Sequence, residues 1–136
     1  MKELKEYIRS IPDFPEKGII FRDVTSVLQD ADALKLSIDE LAKRLEGVDF
    51  DVIAGAESRG FIFGAPLAYV IQKGEKVVLL DDLIATGGTM KAAAELVEEL
   101  GGEVVKMLFL IELSDLNGRE VLKDYDVDSV VQFEGK

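Results

Sequence analysis

The sequence contains neither cysteine nor histidine in its 136 residues. Without cysteine the fold cannot use disulfides or thiolate metal sites, which is compatible with a cytoplasmic protein. Without histidine, any acid–base chemistry must rest on carboxylates, lysine, tyrosine, a metal-bound water or the substrate itself.

Long hydrophobic runs are also missing. The longest apolar stretches, such as "VKMLFLIEL" over Val105–Leu113, fall far short of the roughly 20 residues that a membrane-spanning helix needs. The N-terminus "MKELKEYIRS" is amphipathic and does not resemble a signal peptide. We therefore expect a soluble, unprocessed chain with no membrane partner.

Positive charge is scarce. The chain has 16 lysines and arginines against 27 aspartates and glutamates, a formal net charge of −11 and a pI near 4.4. This balance argues against a nucleic-acid partner, because nucleic-acid affinity comes mainly from cations that neutralise phosphates. A small phosphorylated ligand is not excluded, since backbone N–H groups and a helix N-terminus can hold it.

The composition is 48% hydrophobic and 32% charged, which is typical of a globular protein. A chain of this length can bury roughly two-thirds of the surface of its unfolded form. No internal repeat or low-complexity tract divides it, so we predict a single domain over residues 1–136.

Apolar periodicity predicts helices alternating with short apolar strands. The clearest helix runs from Asp30, the predicted N-cap, to Gly47, the predicted stop. A later helix is predicted to turn Leu96, Val97 and Leu100 inward. Helices are predicted within residues 1–11, 30–47, 61–69, 90–100 and 119–125, and strands within 51–55, 76–80, 104–113 and 129–133.

This alternation predicts an α/β fold with a mainly parallel sheet and right-handed crossovers. Ligands of such sheets bind at the carboxyl ends of the strands. The segments that follow the predicted strands are therefore the places to look for a site.

The first such segment is "VVLLDDLIATGGT", Val77–Thr89. After the predicted strand, the N–H groups of 86–89 can converge on an anion at the positive end of the next helix dipole. The two glycines allow a turn with positive φ and a close approach to the ligand. A Walker A loop would need a lysine after its glycines and a dinucleotide fingerprint would need G-x-G-x-x-G, and this segment has neither.

Asp81 and Asp82 precede this loop. A carboxylate pair can accept hydrogen bonds from the vicinal hydroxyls of a ribose, directly or through a divalent ion. The alternative is a solvated acidic turn with a glycine-rich helix entry. That alternative is favoured for a bare "DD" or "GG" and becomes improbable for the whole unit of strand, acids, loop and helix.

A second candidate segment is "GAESRGF", in which Arg59 lies between Gly55 and Gly60. Its guanidinium could bind phosphate oxygens with the help of neighbouring amides. Pairing of Arg59 with Glu57 or another surface acid is an equally good interpretation of this segment alone.

A third candidate segment is "GIIFRD", where Phe21 could stack on a flat ring with Arg22 beside it. Taken alone, this segment favours the simpler alternative that Ile19, Ile20 and Phe21 are ordinary core residues.

Together these segments resemble the phosphoribosyltransferases, and within them the adenine phosphoribosyltransferases. The order of "FPEKGIIFRD", "ESRGF" and "ELSDLNGRE" is similar to the adenine enzymes and not to their hypoxanthine, orotate or uracil relatives. The resemblance covers nearly the whole chain. It implies a three-layer phosphoribosyltransferase-like fold with helices flanking the sheet, with 1–30 as a base-binding segment and 31–136 as the α/β core. The matching stretches are "IPDFPEKGIIFRDVTSVL", "AGAESRGFIFGAPLAY", "VVLLDDLIATGGT" and "FLIELSDLNGRE".

The resemblance implies transfer of a phosphoribosyl group from phosphoribosyl pyrophosphate to adenine, which gives AMP and pyrophosphate. Arg59, Asp81 and Asp82 would be catalytic, with the two aspartates on the ribose hydroxyls and helping to place Mg²⁺. It also implies a homodimer, which the apolar segment 61–69 favours as well. The implied substrate-binding residues are Ala85, Thr86, Gly87, Gly88 and Thr89 on the 5-phosphate, Glu57, Ser58 and Arg59 on pyrophosphate, and Ile20, Phe21, Arg22 and Leu83 around adenine.

The chain departs from the family after "APLAY", which runs directly into "VIQKGEKVVLLDD". Several dozen residues expected between Tyr69 and Val70 are missing, including a strand and the mobile loop that closes the active site. The leading interpretation is an adenine phosphoribosyltransferase in a loop-deleted form. Either Tyr69 and Val70 are covalently linked, which would impair turnover, or a loop between them is omitted from the sequence. The second is a non-catalytic module that binds AMP or phosphoribosyl pyrophosphate, and the third is a structural or regulatory α/β protein whose loop binds only an anion.

Overall fold

The computed structural model describes residues 2–55 and 74–135. The predicted helix at 61–69, the junction at Tyr69 and Val70, and the candidate residues Glu57, Ser58 and Arg59 lie outside these ranges.

The core is a four-stranded parallel sheet in the order β3-β4-β5-β6. The two central strands are nearly continuous apolar runs, as expected for parallel strands that are covered on both faces. The strands are β3 at Val52–Gly55, β4 at Lys76–Ile84, β5 at Glu103–Leu113 and β6 at Val127–Phe133.

One face of the sheet is covered by α3, Ala31–Leu45. The Asp30 carboxylate accepts hydrogen bonds from the N–H groups of Asp32 and Ala33 at 2.9 and 3.0 Å, and Gly47 follows the helix with φ 76°. The predicted N-cap and stop are thus confirmed. Leu41 of this helix joins one apolar cluster with Val78 and Leu110 of the sheet.

The other face is covered by α4, Gly88–Glu99, through Met90, Ala94 and Val97. The predicted inward positions Leu96 and Leu100 are wrong, because these side chains are 59% and 55% exposed. Two overlapping stripes on this helix have helical spacing, and docking against β4 and β5 selects the stripe that begins at Met90.

The N-terminus forms a short helix followed by an antiparallel hairpin. The helix predicted over residues 1–11 is too long, because Ile11 lies in a strand opposite Phe21. Tertiary pairing therefore outweighs the helical spacing of the apolar residues. The elements are α1 at Leu4–Tyr7, β1 at Arg9–Pro12, β2 at Ile20–Asp23 and α2 at Thr25–Leu28.

Between β5 and β6 the chain forms a 3₁₀ turn at Ser114–Leu116 and the short helix α5 at Gly118–Val121. The helix predicted within 119–125 is thus present, but shorter and one residue earlier. Helices lie on both faces of the parallel sheet, so the predicted three-layer α/β fold is confirmed. Over the described residues, no helix has the length and apolar character to cross a membrane.

Candidate active site

Asp81 and Asp82 lie inside β4, which continues to Ile84. Asp81 is opposite Phe109 in the register with β5, and Asp82 is only 7% exposed. The interpretation of the two acids as a solvated turn is therefore wrong. They are held by the ladder of a central strand near its carboxyl end, where ligands of parallel sheets bind.

The alternation of side chains between the two faces of β4 changes at the acids. Val78 and Leu80 pack on the α3 face, and Val77 and Leu79 on the α4 face. Strict alternation would place residue 83 with the second pair, but Leu83 packs on the α3 face and Ile84 belongs to the α4 cluster. The alternation of side chains between the two faces of β4 is thus offset by one residue at Asp81 and Asp82.

A three-residue loop, Ala85 to Gly87, connects β4 to α4. Gly87 is the N-cap of the helix with φ 85°, a conformation that favours glycine, and as a glycine it provides no side-chain cap. The first N–H groups of α4 therefore donate no hydrogen bond to an N-cap side chain. This is the arrangement that binds anions at helix N-termini.

The acids and the loop open into one cavity of about 430 Å³. Every residue from Asp81 to Met90 lines it, together with Phe109 of β5. Thr86, Gly88 and Thr89 are exposed to this space, whereas Gly87 is buried. The predicted sugar-binding and phosphate-binding groups, and Leu83, are thus brought to one place.

The predicted adenine-binding residues of the hairpin are not in the lining of this cavity. Phe21 packs edge-on against Phe14, with ring centroids 5.4 Å apart. The Arg22 guanidinium stacks over the Phe133 ring at 4.2 Å and donates to the Ser10 hydroxyl at 2.5 Å. Ile20 is 37% exposed, and Arg22 places the hairpin beside Phe133 at the carboxyl end of β6.

Phe109 and Gly118 are parts of the site region that reasoning from the sequence missed. Phe109 was hidden within the apolar run of β5, where nothing distinguishes it from a core residue. Gly118 lies against the loop: a Cβ atom placed on it would come 2.5 Å from the Ala85 carbonyl oxygen. Its only sequence signal was its position in "ELSDLNGRE", which carried a resemblance but no assigned role.

A partly buried ion pair between Arg119 and Glu112 holds the segment that contains Gly118. The Arg119 Nε donates to both carboxylate oxygens of Glu112, at 3.0 and 2.9 Å, and the Ser129 hydroxyl donates to the same carboxylate at 2.6 Å. Burial acts to raise the pKa of Glu112, but the hydrogen bonds from Arg119 and Ser129 and the Arg119 charge outweigh it. The pKa of Glu112 is therefore lowered.

Comparison with known proteins places this arrangement in a family. The family described as "Phosphoribosyl transferase domain" matches residues 70–135. The chain is 60% identical to the adenine phosphoribosyltransferase of Agathobacter rectalis and 52% identical to that of Lachnoclostridium phytofermentans. Both alignments cover 100% of this chain and 100% of the relative.

Solved structures give the same result. The adenine phosphoribosyltransferase of Thermoanaerobacter pseudethanolicus superposes with a TM-score of 0.89 at 45% identity, over 96% of this chain and 98% of that one. The enzyme of Saccharomyces cerevisiae, solved with D-2,5-dideoxy-2,5-imino-altritol 1,6-bisphosphate and adenine, has a TM-score of 0.86 at 30% identity, over 93% of this chain and 96% of that one. With its parallel sheet, its acidic strand end and its glycine-rich helix entry, the chain belongs to the adenine phosphoribosyltransferase family.

Proposed function

We propose that this chain acts in purine salvage by transferring the 5-phosphoribosyl group of phosphoribosyl pyrophosphate to adenine, which gives AMP and pyrophosphate. The observation that carries the proposal is the single cavity lined by both Asp81 and Asp82 and by the loop of 85–89. A phosphorylated ribose has hydroxyls at one end and a phosphate at the other, and the cavity has acceptors and donors in that arrangement.

In this reaction the bond from the anomeric carbon to a pyrophosphate oxygen breaks and a bond to adenine N9 forms, while the N9 proton passes to the departing pyrophosphate or to water. The sugar becomes positively charged in the transition state, so catalysis consists of orienting the two reactants and stabilising charge. The amides at 86–89 bind the 5-phosphate, and the carboxylates of Asp81 and Asp82 accept hydrogen bonds from the ribose hydroxyls. This division keeps the acids apart from the phosphate that they would repel.

Mg²⁺ fits this site as a companion of the substrate. Mg²⁺ prefers oxygen ligands and is usually bound through one or two carboxylates together with substrate phosphates. Asp81 and Asp82 supply such carboxylates, while the described residues contain no cluster of three or more acidic side chains that would hold a metal alone. When bound, the ion neutralises charge on the departing pyrophosphate.

The other substrate groups are assigned to the remaining predicted residues. We propose that Arg59, with the backbone around Glu57 and Ser58, binds pyrophosphate. Residues 1–30 form the base-binding segment and 31–136 the α/β core of one domain, which acts as a homodimer in the cytoplasm. The proposed adenine-binding residues are Ile20, Phe21, Arg22 and Leu83.

A second candidate function is binding of AMP or phosphoribosyl pyrophosphate with little or no turnover. The alignment with the Agathobacter rectalis enzyme runs over 174 positions and this chain has 136 residues, which supports our proposal that a segment of the family is missing here. We place the missing segment between Tyr69 and Val70. Loss of even one charge-stabilising donor typically lowers the rate by about 10²–10³, and loss of a closing loop also admits water.

The test measures AMP formation from adenine and phosphoribosyl pyrophosphate with Mg²⁺, and AMP binding by calorimetry, with the Agathobacter rectalis enzyme as positive control. Turnover supports the transferase. Binding without turnover supports the second candidate, and failure of both leaves only an anion-binding α/β protein. Grafting the missing segment of that relative between Tyr69 and Val70 should raise turnover if its loss is what limits the reaction.

A further inference from the structure

The loop after β4 and the short helix α5 touch through their backbones. A Cβ atom on Gly118 would lie 2.5 Å from the Ala85 carbonyl oxygen and 2.7 Å from Cγ1 of Ile84. In the reverse direction, a Cβ atom on Gly87 would lie 2.7 Å from the Gly118 carbonyl oxygen. These distances are well inside van der Waals contact, so neither position leaves room for a side chain.

The position of α5 is itself fixed by Arg119, the residue that follows Gly118. Besides its hydrogen bonds to the Glu112 carboxylate, Arg119 donates from Nη1 to the Val127 carbonyl oxygen at 2.8 Å. One side chain thus connects α5 to the carboxyl end of β5 and to the start of β6. Because Glu112 is also paired in register with Ile84, this anchor lies beside the strand that leads into the loop.

We infer that Gly118 is a positioning residue for the phosphate-binding loop. The peptide unit between Ala85 and Thr86 is trans and planar, so its N–H points opposite to its C=O. Gly118 contacts the oxygen side of this unit, which turns the Thr86 N–H away from α5. A residue with a side chain at 118 would push the carbonyl and rotate that N–H. This inference rests on the proposed function, in which the loop amides bind the 5-phosphate.

The test compares Gly118→Ala with wild type in two measurements. Calorimetry gives the affinity for AMP and for adenosine, which lacks the phosphate. We expect the variant to lose about tenfold or more in AMP affinity, as removal of one charged hydrogen bond implies, with adenosine affinity unchanged. NMR gives the amide signals of Thr86 and Gly87, which should shift.

Leu110→Ala is the control for general loss of stability, because Leu110 is fully buried and does not line the cavity. This variant should keep the AMP affinity and the Thr86 signal of wild type at a temperature where it is folded. Equal losses for AMP and adenosine in Gly118→Ala, or an unchanged Thr86 signal, would overturn the inference. If wild type neither forms nor binds AMP, the proposed function fails, and a shifted Thr86 signal still supports the positioning role.

A second variant keeps the inference testable if Gly118→Ala does not fold. Arg119→Gln adds no atom at residue 118 but removes the ion pair that anchors α5. Arg119→Gln should shift the Thr86 signal and lower AMP affinity by about threefold or more. Arg119→Lys keeps the charge but not the planar guanidinium, so its AMP affinity and Thr86 signal should lie between those of Arg119→Gln and wild type. Wild-type values in Arg119→Gln would contradict the inference.

Discussion

The backbone N–H of Asp82 donates a hydrogen bond to Oδ1 of Asp81 at 2.8 Å, so the two adjacent acids form one local unit within β4. Replacing Asp82 by Asn keeps the side-chain size but removes a charged acceptor. We expect AMP affinity in the presence of Mg²⁺ to fall about 10–100-fold, the range for a lost charged hydrogen bond. Calorimetry measures this loss.

Thermal unfolding of Asp82→Asn should change far less than its binding. Asp124→Asn is the matched control, since Asp124 is an exposed acid outside the cavity. Wild-type AMP affinity in Asp82→Asn would remove this aspartate from the site.

The two loop glycines should respond differently to alanine. Gly87 has φ 85° and no space for a Cβ atom, so Gly87→Ala should lower stability by at least about 1–2 kcal/mol, the cost of a left-handed conformation alone. At Gly88 a Cβ atom would meet nothing within 4 Å, so Gly88→Ala should fold at least as well as wild type.

If phosphate approaches the backbone at Gly88, the added methyl group should still weaken AMP binding. Urea unfolding and AMP calorimetry on the same Gly88→Ala sample separate the two effects. A stable variant with wild-type affinity would show that the phosphate does not reach this residue.

Acid should remove the contribution of the Glu112 ion pair. The pKa of Glu112 is lower in the folded state than its ordinary value of about 4.3. A group of this kind contributes stability above its unfolded pKa and loses that contribution as the pH falls through its folded pKa. The stability difference between wild type and Glu112→Gln should therefore be constant near neutral pH and shrink below about pH 4.3.

Urea unfolding at steps from pH 7 to pH 3 measures this difference. Glu99→Gln, an exposed position at the end of α4, is the control for a general change of charge. If the stability difference between wild type and Glu112→Gln stayed constant from pH 7 to pH 3, the predicted contribution of the ionised Glu112 carboxylate would be contradicted.

Two leucines test the layers of the fold. Leu110 is fully buried in the cluster on the α3 face, whereas Leu96 is 59% exposed on α4. Leu110→Ala should lower the free energy of unfolding by about 2–5 kcal/mol, and Leu96→Ala should change it by at most about 0.5 kcal/mol. Chemical denaturation measures both, and equal effects would show that the exposed face of α4 is covered in solution.

Local features of the sequence predicted local structure well. The boundaries of α3 follow from Asp30 and Gly47, because a cap and a left-handed stop act on the residues beside them. The loop after β4 was predicted for the same reason, since glycine is needed where φ is positive at Gly87. The assigned roles of Asp81, Asp82 and 85–89 toward a ligand remain predictions, as do those of the hairpin residues.

Features that depend on distant parts of the chain could not be predicted in this way. Pairing with Phe21 made Ile11 part of a strand, and docking on the sheet chose Met90 over Leu96 as an inward residue of α4. Likewise, only the fold shows that Gly118 lies against a loop more than 30 residues earlier in the chain. The sequence by itself determined the α/β class, the helix caps and the loop chemistry, because these follow from short-range periodicity and backbone conformation. The tertiary structure decided which faces are buried and what supports the loop, because packing joins residues whose separation along the chain carries no local pattern.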